Sequence, residues 1–272
     1  MDTEAKKAEL LQKERYTVDD LREIVTLLRA PDGCPWDREQ THESIRGDLI
    51  EETYEVVEAI DKADPVLLRE ELGDLLLQVA MHTEMEREAG RFTLDDVADG
   101  ICKKLIHRHP HVFGDVAVET SAQVLSNWEA IKSEEKQRNT VTDKLRAVPR
   151  QYPALMRAVK VGKKAAALDF PDAESVARKV EEELAEVREA ARGGDREAVF
   201  EEVGDLLLAV ASLARKLGVD AERSLGAAVD KFIDRFAAVE AAVTAQGHKI
   251  SDMSDEKLDI LWQNLKKTDK KH

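Results

Sequence analysis

The sequence predicts an all-α protein made of two tandem copies of one helical unit. Three observations predict it. The 13 glycines and 7 prolines are about 7% of 272 residues, against roughly 12% in average usage, and only 4% of the chain is aromatic. Apolar residues recur at helical spacing between capping signals. The third observation is an internal repeat: Glu70-Glu71-Leu72-Gly73-Asp74-Leu75-Leu76-Leu77-Gln78-Val79-Ala80 returns as Glu201-Glu202-Val203-Gly204-Asp205-Leu206-Leu207-Leu208-Ala209-Val210-Ala211, nine identities in eleven at an offset of 131. A period this long marks a duplicated domain, and 272 residues suit two domains of ordinary size. Sandwiches and barrels need more turn formers and β-branched or aromatic residues, and disordered chains have fewer apolar residues than the 43% found here.

In the first copy the spacing predicts helices over 17–30, 43–62, 65–89, 94–108 and 121–138. Asp64-Pro65 supplies an N-cap and first-turn pair, and Gly90 a stop. Thr17, Thr93 and Thr120 are each followed three residues later by Asp or Gln, the capping-box spacing. In the second copy helices are expected over 154–168, 173–192, 195–217, 221–245 and 254–268, capped by Asp195 and Asp220 and broken at Gly193, Gly218 and Gly247. The polar run Ser133 to Asp143, followed by Pro149 and Pro153, reads as a linker. The expected domains are therefore 17–138 and 153–269, joined by 139–152.

The repeat also carries Glu52 to Glu183 and Glu55 to Glu186, so each copy holds E-x2-E-x15-E-x2-D. Projected at 100° per residue, Leu49, Thr53, Val56 and Ile60 form one stripe with Glu52 and Glu55 beside it, while Glu51 and Glu58 fall on the solvated side. Leu72 to Met81 is apolar nearly all round with Asp74 as its only charge, and Asp205 stands alone among Val203 to Ala214. That pattern predicts a buried Asp that must be paired, protonated or bound to a cation. Antiparallel packing of the two helices would converge four carboxylates, an oxygen-only set suited to Mg²⁺, with Mn²⁺ as a substitute. Di-iron bundles want an ExxH on each of two helices, and only Glu39 and His42 give that spacing at a helix start.

Each copy then offers cations. Lys104 and Arg108, and again Lys231 and Arg235, are i,i+4 pairs able to reach phosphate oxygens. Trp128 with Lys132 and Trp262 with Lys266 repeat that spacing on the last helix of each copy. His107, His109 and His111 are interrupted by Pro110 and read as packing and capping residues. No P-loop or dinucleotide-binding glycine motif occurs.

Together with Gly33-Cys34-Pro35-Trp36-Asp37-Arg38-Glu39-Gln40-Thr41 and Arg108-His109-Pro110-His111-Val112-Phe113, these constellations make the chain resemble the MazG nucleoside triphosphate pyrophosphohydrolases over roughly 17–268. The resemblance implies an all-α, Mg²⁺-dependent enzyme that cleaves between the α and β phosphorus atoms, giving a monophosphate and pyrophosphate. It implies metal ligands at Glu52, Glu55, Glu71 and Asp74 and at Glu183, Glu186, Glu202 and Asp205, with Lys231, Arg235, Trp262 and Lys266 around the triphosphate; because duplicated domains often divide labour, the second set is expected to be the catalytic one. In one respect the chain departs from the pattern: some members carry a Lys seven residues before the last Asp ligand, where this chain has Ala198. Two alternatives share the architecture, a non-catalytic helical regulatory protein with a structural metal site and a hydrolase of dinucleotide polyphosphates.

A formal charge of −15, from 56 acidic and 41 basic residues, argues against a nucleic-acid partner. Cys34 and Cys102 have no metal-type spacing, and the longest strongly apolar stretch, Leu206 to Ala214, is too short for a membrane span. A cytoplasmic protein is expected, with a nucleoside triphosphate as substrate and, because two-helix metal units commonly complete a four-helix bundle, a homodimer.

Overall fold

The computed structural model describes residues 3–135 and 140–269, and among these there is no β-strand. The chain divides into two compact units at Lys132 and Ser133.

Unit 1 starts with α1 (Thr3–Leu11), which the sequence reading left unassigned. It continues with α2 (Val18–Arg29), the short α3 (Pro35–Glu39), α4 (Arg46–Asp61) and α5 (Pro65–Glu88). Then come α6 (Leu94–Arg108), the single turn α7 (Pro110–Phe113) and α8 (Ser121–Glu135). The expected residues 136–138 of that last helix lie outside the described residues. Thr17 and Thr93 form the full capping boxes their spacing predicts, with Asp20 and Asp96. Thr120 and Gln123 bond reciprocally in the same way. The strongest packing in unit 1 is α4 against α5, and α2 lies on α5. Val25, Ile45, Ala80, Met81 and Met85 make the core, joined by Leu21 and Leu77.

Unit 2 contains α9 (Val141–Arg146), α10 (Ala154–Lys164), α11 (Ala173–Gly193), α12 (Arg196–Lys216), α13 (Ala221–Thr244) and α14 (Asp255–Asp269). Helix α9 falls inside the stretch expected as linker; Thr140 and Asp143 close a capping box there, and α9 packs on α10. The helix expected to reach 168 stops at Lys164 and gives way to a 3-10 turn at Ala166–Leu168. That turn delivers Asp169 to the end of α12, where Arg215 donates at 3.0 Å and Lys216 stands 2.8 Å away. The dominant pair is α11 with α12, with α10 against α12 and α13, and α13 against α14.

The helix–helix turns explain the register of each major pair. Helix α4 ends in a left-handed residue, Ala63 (φ 51°), whose successor Asp64 donates its N–H to Ala59 O, the 6→1 bond of a Schellman cap. The Asp64 carboxylate then accepts from Val66 and Leu67, starting α5 at once. In unit 2 the equivalent left-handed residue is Gly194 (φ 74°), one position after the expected break, and Asp195 caps α12 through Glu197 and Ala198.

Candidate functional site

The buried stripe of α4 is rotated from the projected one. Ala59 is fully buried, Ile45 nearly so, and Glu52 shares their side of the helix, whereas Ile60 is 57% exposed and Thr53 is also exposed. Glu52 therefore sits within the half-buried stripe and not beside it. The tight turn places α5 antiparallel to α4, so that Glu52, Glu55 and Glu71 offer oxygens all within 4.8 Å of one another. Unit 2 repeats the arrangement with Glu183, Glu186 and Glu202, also within 4.8 Å. Six of the eight expected ligands are thus assembled as two trios.

The two aspartates differ from expectation: Asp74 and Asp205 are exposed and stand outside the trios. The helices that carry them are apolar nearly all round, but the chain's own helices cover only part of their circumference. Leu72 beside Asp74, and Leu207 and Leu208 beside Asp205, are open to solvent with them. Asp74 is still close enough for its charge to act on Glu52 and Glu71.

Crowding leaves its mark on protonation. Burial pushes the Glu52 carboxyl above the usual carboxylate range, helped by the charges of Asp74 and Glu55. Glu71 is raised by burial and by Glu55, Glu70 and Asp74. In unit 2 Glu186 is raised by burial and by its hydrogen bond and repulsion with Glu183. Glu183 is only 5% exposed, and it is partnered by a residue the sequence reading missed. Lys179, one turn earlier on α11, contacts Glu183 and Glu182 at 2.7 Å each, and these carboxylates hold its ammonium well above the ordinary lysine value. Its i,i+4 spacing to Glu183 was the available signal. At the repeat offset of 131 unit 1 has Asp48 instead, so the two trios sit in different electrostatic settings.

An all-carboxylate trio at this spacing fits a hard divalent cation: the donors are all oxygens, and they repel one another until positive charge is placed among them. The same trio stands on a helix pair in each unit.

The expected phosphate-side residues fall into two groups. In unit 2, Lys231 and Arg235 lie on α13 and Trp262 and Lys266 on α14. Trp262 rests against Phe232 with ring centroids 5.1 Å apart, and both line a cavity of about 310 Å³. Among the described residues no ion pair joins Lys231 or Lys266 to the carboxylates of unit 2, so their charge remains available to a ligand. In unit 1 the indole of Trp128 is already engaged. The buried Arg108 guanidinium stacks 5.2 Å above it and His109 meets it edge-on at 4.8 Å. Lys132 contacts Glu129 at 3.3 Å, and Lys104 is exposed on α6. Of the three neighbouring histidines, His109 Nδ1 bonds Leu105 O and His109 packs on His111, a packing and capping role.

Comparison with known proteins places this geometry in a family. The MazG nucleotide pyrophosphohydrolase domain matches residues 40–113 and again 172–240, each match spanning one carboxylate trio. A nucleoside triphosphate pyrophosphohydrolase of Escherichia coli K12 is 44% identical over 255 residues, covering 92% of this chain and 97% of that protein. The nucleoside triphosphate pyrophosphohydrolase/pyrophosphatase MazG of Thermotoga maritima is 41% identical over 250 residues, covering 91% and 95%. A nucleoside triphosphate pyrophosphohydrolase of Mycobacterium tuberculosis is 35% identical over 225 residues, 81% of this chain and 58% of that one. With its carboxylate helix pair present twice and both copies matched, the chain belongs to the MazG nucleotide pyrophosphohydrolase family.

Proposed function

We propose that this nucleoside triphosphate pyrophosphohydrolase holds Mg²⁺, or Mn²⁺ in its place, through Glu183, Glu186 and Glu202 with Asp205. We assign Glu52, Glu55 and Glu71 with Asp74 the same role in unit 1. The observation that carries this is the convergence of three glutamates within 4.8 Å, made twice on the same helix–turn–helix frame. When bound, the cation supplies Lewis-acid neutralisation of the triphosphate and acidifies the attacking water. The chain's own residues do the rest. A trio carboxylate orients the water and takes its proton as the oxygen adds to the α phosphorus, and the bond from that phosphorus to the β-bridging oxygen breaks. Nucleoside monophosphate and pyrophosphate result.

Lys231, Arg235 and Lys266 stabilise the charge that develops on departing pyrophosphate, and Trp262 offers a ring face to the base. Lys179 holds Glu183 and Glu182 before the cation arrives and adds a positive charge beside the trio. In unit 1 the corresponding phosphate-side role falls to Lys104 with Lys132, because Arg108 is buried against Trp128 and the Trp128 ring is already covered by Arg108 and His109. No described helix is long and apolar enough to cross a membrane.

The test is pyrophosphate release from a panel of nucleoside triphosphates, with and without Mg²⁺. Release that depends on the cation, with one monophosphate per pyrophosphate, is expected. Orthophosphate as the first product would overturn the cleavage position.

A further inference from the structure

Unit 1 carries a second set of ionisable side chains away from the trio. His42 Nε2 lies 2.6 Å from Glu86 Oε1, and His42 Nδ1 lies 2.7 Å from His82 Nδ1. Arg91 pairs with both oxygens of the same carboxylate and, with His42, holds Glu86 down to about 2. An ionised carboxylate accepts, so His42 donates its Nε2 hydrogen to Glu86 and keeps a lone pair on Nδ1. With one hydrogen on each ring, His82 donates Nδ1–H into that lone pair. His82 Nε2 is then left as an acceptor. That atom is buried and has no hydrogen-bond partner.

His82 lines a cavity of about 420 Å³ together with Leu49, Val79, Phe92 and Val97. Thr83 also faces it, but its hydroxyl donates to Val79 O and Ala80 O, so the wall supplies no donor for His82. Leu49 precedes Glu52 by three residues on α4, and Val79 follows Glu71 by eight on α5. At 1.5 Å of rise per residue the cavity lies about 5–12 Å along the helix pair from the trio. A sugar bridges a span of this order between the edge of a base and its α phosphate. Unit 2 keeps the apolar wall, with Val180 and Val210 at the positions of Leu49 and Val79, but has Leu213 in place of His82 and Leu217 in place of Glu86. The polar edge belongs to unit 1 alone.

We infer that this cavity is a nucleobase subsite of unit 1, and that His82 Nε2 selects bases that turn an amino group toward it. The inference rests on the proposed nucleotide chemistry of the neighbouring trio. Apolar walls with an aromatic ring take a planar heterocycle, and the buried acceptor left without a partner, His82 Nε2, fixes which edge enters, since the Glu86 carboxylate in the same lining is engaged by Arg91 and His42. Adenine and cytosine present an amino group where hypoxanthine and uracil present a carbonyl oxygen, which would meet the lone pair of His82 with its own. A metal ion is the competing occupant. No set of three His, Cys, Asp or Glu donors forms at this cavity among the described residues, and a single nitrogen does not hold a divalent cation.

The test uses the full chain with ¹⁵N-labelled histidine, titrated with adenosine, cytidine, inosine and uridine in the absence of metal. Nucleosides lack the group the carboxylates read, so this arm is independent of turnover. Adenosine and cytidine should move the Nε2 resonance of His82, identified by its loss in His82→Leu, while inosine and uridine leave it in place. Phe92→Ala keeps the reporting nucleus and should weaken adenosine binding about tenfold. An equal response to all four nucleosides, no response at tens of millimolar, or a shift with Zn²⁺ alone would each overturn the proposal. If the nucleoside shift appears but Mg²⁺-dependent pyrophosphate release does not, the catalytic reading falls and the subsite stands; the reverse outcome sinks the subsite alone.

Discussion

At the scale of single residues, the carboxylates divide into those whose burial the chain itself accomplishes and those left open. Asp205→Asn keeps the side chain's shape and removes its charge. It should therefore cut Mg²⁺-dependent pyrophosphate release about 100-fold with an unchanged circular dichroism spectrum. Asp74→Asn, assayed in parallel, reports whether unit 1 turns over as well, and the unit 2 variant is expected to lose more. Glu52, Glu71 and Glu186 have raised proton affinity in the fold. Such a group favours folding at low pH, and its contribution fades as pH rises from the ordinary carboxylate value through the folded one. Above that, repulsion persists, so Mg²⁺ should raise the melting temperature more at pH 8 than at pH 5, where protons compete. A melting temperature indifferent to Mg²⁺ at both values would sink the converged site. Glu86 works in the opposite sense: its stabilisation is present above the usual carboxylate range and is lost as pH falls toward about 2. The glutamates were legible because the repeat doubled their spacing. The exposure of Asp74 and Asp205 was not, because a helix apolar all round does not say which of its sides the same chain will cover. In the His42–His82–Glu86 chain the i,i+4 spacing of His82 and Glu86 on α5 is local, but His42, which joins them, lies 40 and 44 residues away and has no local spacing signal.

At the scale of elements, the duplication supplies its own control. Ala63 and Gly194 occupy the same left-handed position between the two site helices, at φ 51° and 74°. An L-residue there costs roughly 1–2 kcal/mol that glycine avoids, partly offset by glycine's larger loss of chain entropy. Ala63→Gly should therefore raise the melting temperature of unit 1 by a degree or two, and Gly194→Ala should lower that of unit 2, each read by scanning calorimetry. The opposite signs would mean that the turn does not set the strain. Asp169 tests another junction. Paired with Arg215 and Lys216, its carboxyl is held far below the ordinary value, so this contribution is full above that value and disappears as acid protonates it. Asp169→Ala leaves both cations without that partner and should lower melting by about 5 °C at pH 7, with the difference shrinking at pH 3. Most helix boundaries were readable within a residue or two, because caps such as Thr17, Asp64, Thr93 and Asp220 are local chemistry. The break after Lys164 was not readable: nothing in Ala165-Ala166-Ala167-Leu168 stops a helix, and the distant pull of Arg215 and Lys216 on Asp169 does.

At the scale of the whole molecule, the apolar surface left open demands an explanation. On α12 Phe200 is 83% exposed, and Val203, Leu207, Leu208 and Val210 are exposed with it. On α13 Leu225, Val229, Phe232, Ile233 and Phe236 are exposed as well. Contiguous apolar faces of this kind mark association surfaces. Two-helix carboxylate units complete four-helix bundles, and a symmetric pairing lets one patch serve both partners. A second copy of the chain laid along α12 would exclude water from Leu207 and Leu208 and, with them, from Asp205. The aspartate that the single chain leaves open would then reach the low-dielectric setting in which a bound cation holds it most firmly. Light scattering at micromolar concentration should therefore give twice the chain mass. Leu207→Lys, placing a charge in the middle of that face, should give the single-chain mass and lose Mg²⁺-dependent turnover while retaining helicity. A single-chain mass for the unaltered protein would overturn the pairing, and it would leave Asp205 to bind its cation at the surface with correspondingly weaker affinity.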